Sequence, residues 1–340
     1  MSKILLTGGL GYIGTELTRF LIKQGHEVLV LDSCYFERNL YDEKLPNVLI
    51  RSDIRAISQK DFQNIDYAVH LAALSNDPLG EINTQLTYQI NRDAAIKTAE
   101  LAKKSGTKRF IFVSTQSIYG ISNSLKPLNE DDAKSPVTAY AKAKWEAEQK
   151  IIQMNSKNFC VVAIRPSTVF GWGSRIRNDI IFNNMIMSGL KTGEIQVHTD
   201  GTPFRPVIHI LDLIRVIYNL LNANPTNIAG EAFNVGLWNG NYSVREIANQ
   251  ASRCLGGIPI RLETENISDS RSYLVNFQKI YDSIGFKANT SLYDGGMEIV
   301  KKFGLLNTVQ KTKYFTETIR LKTLKGLMES GQIKSDLTWV

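Results

Sequence analysis

Three cysteines in 340 residues, Cys34, Cys160 and Cys254, are odd in number and widely spaced, which excludes a disulfide framework. None stands in a Cys-x-x-Cys or Cys/His cluster, so no metal site is expected. Nowhere do about 18 uncharged apolar residues run together, so no membrane span is expected. The apolar run in Ile4-Leu5-Leu6 is too short for a signal peptide, and a cytoplasmic location is the expectation. Internal repeats, low-complexity tracts and blocks of five like charges are absent. Without zinc-finger spacing or an RNA-binding aromatic signature, no nucleic-acid partner is expected either.

What is present is ordinary globular usage: 43% hydrophobic residues, 21% charged, 24 Gly and nine Pro. At about 150 residues per domain the length suggests two lobes. The net charge of +7 favours an anionic small partner such as a nucleotide. Strand-like runs at 3–7, 27–31, 48–51, 67–71, 109–114 and 160–164 alternate with helical stretches at 12–24 and 85–104. Such alternation predicts an α/β fold with a doubly wound parallel sheet and ligands at the carboxyl ends of its strands. The expected division is a nucleotide-binding domain over 1–170, a smaller α/β substrate lobe over 171–310, and a helical tail over 311–340. Part of 207–237 is expected to return to the first domain, with Phe233–Val235 as a strand, and helices are expected at 211–221 and 244–254. The tail carries Leu321, Leu324, Leu327 and Met328 at helical spacing and should pack on the body or on a second subunit.

Thr7-Gly8-Gly9-Leu10-Gly11-Tyr12-Ile13-Gly14 links the first strand to the first helix, the setting in which a glycine-rich turn binds a dinucleotide. Gly8 permits the turn, Gly11 lets the backbone approach a pyrophosphate, and Gly14 allows close helix–strand contact. Asp32 ends the second strand, where a carboxylate accepts hydrogen bonds from ribose hydroxyls and repels a 2′-phosphate. The cofactor expected is therefore NAD, although Arg38 lies near enough to offset that repulsion.

With these residues the chain resembles the extended short-chain dehydrogenase/reductase family, in its NAD-dependent nucleotide-sugar epimerase/dehydratase branch. The T-G-x-x-G-x-x-G spacing carries the likeness, which runs from residue 3 to about 300. The resemblance implies a Rossmann domain in which Tyr12, Ile13, Asp53, Ile54, Leu71, Ala72, Ala73 and Pro166 line the cofactor. It also implies that Asn91 braces the active-site strands beside that cofactor, and that the protein is a homodimer.

Tyr140 and Lys144 stand one helical turn apart on one face of a helix whose start is expected at Ser135-Pro136. A phenol is a poor base near neutral pH, but an adjacent ammonium favours phenolate. Strand-end Ser114-Thr115 precedes this pair by 25 residues. By resemblance Tyr140 abstracts a hydroxyl proton, Lys144 holds the nicotinamide ribose, and Thr115 binds the reacting sugar oxygen, with Ser114 or Ser117 as substitutes. Dehydratases of the branch follow that Thr with an acid pair or a polar–Glu pair. This chain has Gln116 and Ser117, neither of which ionises near neutral pH.

For the substrate lobe, Asn183, Asn184, Arg205 and Arg271 resemble the contacts to a nucleotide diphosphate, a task that suits bidentate guanidinium groups. Arg165 to Gly171 resembles the segment that enters this lobe, but lacks the aromatic–Asn form of galactose epimerases. Asp77, in Ser75-Asn76-Asp77-Pro78, is a sugar ligand, an auxiliary acid or a plain turn residue, and His209 is read as structural. The function expected is epimerisation of a nucleotide-diphosphate sugar by transient oxidation at C4. A 4-dehydrogenase or 4-ketoreductase uses the same residues; a 4,6-dehydratase and a catalytically silent NAD-binding regulator are the remaining alternatives.

Overall fold

The protein is described from a computed structural model over residues 1–36, 49–121, 126–263 and 272–340. Among these residues the first six strands are β1 (Lys3–Thr7), β2 (Glu27–Asp32), β3 (Leu49–Arg51), β4 (Tyr67–His70), β5 (Arg109–Val113) and β6 (Cys160–Pro166). Six more follow: β7 (Thr168–Phe170), β8 (Ile195–Val197), β9 (Phe204–His209), β10 (Glu231–Val235), β11 (Asn241–Ser243) and β12 (Ile260–Leu262). The main sheet is parallel, in the order β10-β6-β5-β4-β1-β2-β3. From β1 the chain builds outward through β2 and β3, then returns to place β4 on the other side of β1. That reversal opens a crevice at the strands' carboxyl ends, where ligands of such sheets bind.

Period-2 alternation explains the two apolar layers, because successive strand residues point to opposite faces. Ile4, Leu6, Val28, Val30, Ile111 and Val162 face one side, against Leu17 and Leu21 of α1 (Tyr12–Lys23) and the apolar stripe of a helix over 210–222. Leu5, Leu31, Ala68, Phe110, Phe112 and Val161 face the other. There they meet α4 (Ala94–Lys104) and α5 (Ala139–Ile152), with α2 (Asp77–Gly80) and α3 (Thr84–Tyr88) before them.

The remaining helices are α6 (Ile181–Thr192), α7 (Ile210–Asn222), α8 (Val244–Cys254), α9 (Gln278–Ile284), α10 (Leu292–Gly304), α11 (Thr308–Glu317) and α12 (Arg320–Glu329). Strand β9 pairs with β7 and β11, and β8 with β12, giving two small sheets. Helices α6, α8 and α10 pack on one another beside them. Leu324 and Leu327 of α12 join the apolar layer of α4 and α5, and α12 packs against α2.

The helix expected over 85–104 is interrupted. Between α3 and α4, Gln89–Asp93 forms a π-helical turn, a wider turn that re-aims side chains and recurs at functional sites. It turns Asn91 toward the loop after β4, where its Oδ1 accepts from Leu74 N at 2.8 Å and its Nδ2 donates to Leu74 O at 3.0 Å. The tyrosine-bearing helix starts at Ala139 rather than at Ser135-Pro136, because Thr138 supplies the cap: its Oγ1 accepts from Ala141 N at 3.2 Å.

Candidate active site

Two cavities meet at the switch point of the sheet. The first lies on the glycine-rich turn. Gly8 has φ +71°, and a Cβ there would sit 2.7 Å from Ala72 N; a Cβ on Gly14 would sit 2.3 Å from Gly8 O. Glycine at both positions therefore lets β1, α1 and the loop after β4 close together. Gly11 precedes α1 and offers no side-chain cap, so the helix's first N–H groups open into the cavity with its positive dipole end. Gly8, Gly11, Tyr12, Ile13 and Gly14 all line it, as do Leu71, Ala72 and Ala73 opposite.

Asp32, Asp53 and Ile54 line its far end. Backbone N–H groups pin the Asp32 carboxylate: Leu10 N donates to Oδ2 at 2.9 Å and Cys34 N to Oδ1 at 2.8 Å. Each oxygen keeps acceptor capacity toward the cavity. An uncapped helix end beside glycines, with a fixed carboxylate one strand away, fits a dinucleotide's pyrophosphate and adenosine ribose. Arg38 lies outside the described residues.

The second cavity, of about 510 Å³, continues from the first and shares Tyr12, Ile13, Leu71, Ala73, Ser75 and Arg177 with it. Thr115, Tyr140, Lys144 and Pro166 line its floor, and Asp77, Asn184 and Arg205 lie further along. Thr115 hydrogen-bonds the Tyr140 phenol, so these two hydroxyls act as one unit. Lys144 is 2% exposed; its Nζ donates to Val113 O at 2.8 Å and lies 4.8 Å from the centre of the Phe112 ring.

Burial and nearby charges set the electrostatics of this pair. Burial pushes the Tyr140 phenol up to about 12, and Asp77 pushes the same way. Thr115 and then Arg177 oppose them, so the cation acting on the phenol here is Arg177. Lys144 is instead drawn down to about 7 by burial, with Glu148 opposing. Its Nζ is directed at the Val113 carbonyl at the end of β5. Arg177 is held by Asp179, with Nη2 to Oδ2 at 2.9 Å and Nε to Oδ1 at 2.9 Å.

Two expected contacts do not face the cavities. Asn183 is wholly buried: its Oδ1 accepts from Gly171 N at 3.1 Å and its Nδ2 donates to Arg177 O at 3.2 Å, so it shapes the wall without facing the cavity. Asn91 likewise stays behind the wall, bonded to Leu74. Arg271 lies outside the described residues. His209 caps α7 and sits 3.1 Å from Glu298, away from the cavities. Asp77 accepts from Thr138 Oγ1, which ties the loop after β4 to the start of α5. Gln116 is locked in place, donating to Arg165 O at 3.0 Å and accepting from Ser167 Oγ at 3.1 Å.

Two cavity arginines escaped the sequence reading. Arg177 belongs to Arg175-Ile176-Arg177-Asn178-Asp179, a charge alternation directly after β7 that could have marked a loop facing the sheet's carboxyl edge. Arg320 opens α12, almost 290 residues after Asp32, with no local motif to find it.

The family model of the NAD dependent epimerase/dehydratase family matches residues 4–236. The chain is 27% identical to the UDP-glucose 4-epimerase of Lacticaseibacillus casei, over 84% of this chain and 92% of that one. It is also 27% identical to UDP-glucuronic acid decarboxylase 1 of Danio rerio, over 66% of this chain and 56% of that one. The fold superposes with a TM-score of 0.76 on the crystal structure of the UDP-glucuronic acid 4-epimerase from Bacillus cereus in complex with UDP-glucuronic acid and NAD. That chain is 25% identical to this one, with 88% of this chain and 99% of that one covered. The protein belongs to the NAD dependent epimerase/dehydratase family and is an NAD-dependent enzyme of the extended short-chain dehydrogenase/reductase type.

Proposed function

We propose that this enzyme epimerises a nucleotide-diphosphate sugar by transient oxidation at one carbinol, C4, and returns its cofactor to the starting state each turnover. The observation that carries the reading is the Thr115–Tyr140 hydroxyl pair, set where the glycine-rich cavity runs into the larger one. Bound in the first cavity, NAD supplies a hydride acceptor and, in oxidised form, a positive charge. Tyr140 takes the proton from the sugar hydroxyl and gives it back when the carbonyl is reduced. Thr115 orients the reacting oxygen, and Arg177 and Lys144 supply cationic surroundings that make the phenolate accessible. Asn184 and Arg205 are positioned for the nucleotide diphosphate, Arg205 being 8% exposed.

Elimination of water has less support. Neither Gln116 nor Ser117 ionises near neutral pH to serve as general acid or base, and the carboxylates of Asp77 and Asp179 are engaged with Thr138 and Arg177. UDP-glucose and UDP-glucuronic acid, the sugars named for similar proteins, are the first substrates to test. Nuclear magnetic resonance of the products should show C4 epimers approaching equilibrium with no build-up of reduced nicotinamide. A keto sugar accumulating with one equivalent of reduced cofactor would instead establish a dehydrogenase.

A further inference from the structure

The C-terminal segment reaches back across the whole molecule to the cofactor side of the sheet. Trp339 Nε1 donates to Ser33 O at 2.7 Å, Tyr35 Oη to Leu337 O at 2.5 Å, and Arg55 Nη2 to Asp336 O at 2.8 Å. Asn178, between Arg177 and Asp179, donates from Nδ2 to Tyr314 O at 2.8 Å and from its backbone N to Thr318 O at 3.3 Å. These bonds fix both ends of α12 over the first cavity, into which Arg320 and Leu324 project beside Gly11, Asp32 and Arg177.

Arg320 is 8% exposed and stacks on Phe36, 4.2 Å from the ring centre. Among the described residues no hydrogen bond or ion pair engages its guanidinium, whereas Arg177 beside it is paired with Asp179. A buried arginine with no acceptor is costly unless a bound anion completes it. Among the described residues, Arg320 lines the cavity that contains the uncapped start of α1. We propose that Arg320 is a cofactor ligand that binds the dinucleotide pyrophosphate opposite the glycine-rich turn, so that the C-terminal helix closes the cofactor site. Burial first, and then the nearby Arg177 and Arg175, draw Arg320 down to about 9, with Asp179 and Asp32 opposing. The assignment rests on the glycine-rich cavity being the NAD site, and not on which sugar is turned over.

The test uses the full chain stripped of nucleotide, with Arg320→Leu and Arg320→Lys. Calorimetric titration with ADP-ribose and with adenosine separates phosphate recognition from adenine stacking. Arg320→Leu should weaken ADP-ribose at least tenfold and leave adenosine unchanged, with Arg320→Lys in between. Because the substitution removes an unpaired buried cation, nucleotide-free Arg320→Leu should melt at or above the wild type, while its stabilisation by NAD shrinks. Equal losses for adenosine and ADP-ribose, or a lower melting point with undiminished NAD stabilisation, would overturn the proposal in favour of a packing role. A loss confined to NADP would also overturn it, by placing the guanidinium on a 2′-phosphate. A wild-type chain that binds neither NAD nor ADP-ribose would remove the cofactor site itself.

Discussion

Tyr140 has to lose a proton that its surroundings hold tightly, and the charge balance at this residue sets the pH dependence of turnover. A cation beside a phenol favours the phenolate, so removing it raises the pKa and reduces the reactive fraction at any given pH. Arg177→Met, made with Asp179→Asn to avoid stranding a carboxylate, should therefore move the rising limb of kcat/KM about one unit to higher pH. An unmoved limb would assign the phenol's activation to Lys144 alone. Tyr140→Phe should lower kcat on the order of 10³-fold while cofactor content stays that of the wild type. Sugar turnover at the wild-type rate in that variant would take the proton transfer away from Tyr140. The sequence made this group legible because Tyr140 and Lys144 share a helix face after a strand-end hydroxyl. Arg177 stayed hidden because its partner surface is created only when the loop after β7 folds over the crevice.

At the level of elements, the parallel sheet was readable because central strands such as Phe110-Ile111-Phe112-Val113 are buried on both faces and so read as continuous apolar runs. The break between α3 and α4 was not readable, since the π-helical turn follows from a tertiary contact, the clamp of Asn91 on Leu74, and leaves the apolar period nearly intact. Asn91→Ala would strand a buried N–H and a buried C=O. It should cost about 2 kcal/mol in chemical denaturation and weaken NAD binding by loosening the wall formed by Leu71, Ala72 and Ala73. Denaturation and NAD titration indistinguishable from wild type would make the clamp incidental. Asn183 shows the opposite limit of sequence reading: a polar residue in the expected place on α6 was spent on the chain's own backbone at Gly171 and Arg177.

For the molecule as a whole, pH enters stability through His70, buried at the end of β4 beside Phe112 of the neighbouring strand β5, with its Nδ1 2.9 Å from Thr7 Oγ1. Burial, reinforced by Lys144, draws His70 down to about 3. Between that value and about 6.5 the unfolded chain binds a proton that the folded chain refuses, so stability is retained above this window and falls as pH drops through it. The loss from pH 6.5 to 5 should be about 2 kcal/mol, and His70→Gln should flatten that slope in denaturation measured across pH. Lys144 adds nothing there, because it is protonated in both states below about 7.

The largest feature beyond local motifs is the path of residues 318–340, whose anchors at Ser33, Tyr35 and Arg55 lie about 300 positions away in sequence. Helical spacing announced an amphipathic α12, but only the folded chain reveals that Leu324 and Leu327 join the apolar layer beside α2. An enzyme that reuses its cofactor within one active site has no need to release it, and on the proposed reading the cofactor would lie between the glycine-rich turn and α12. The most direct measurement is to denature the purified protein and quantify the released nucleotide by chromatography. Close to one NAD(H) per chain is expected; an empty protein that binds added NAD weakly, or one that releases NADP(H), would contradict a cofactor-recycling epimerase.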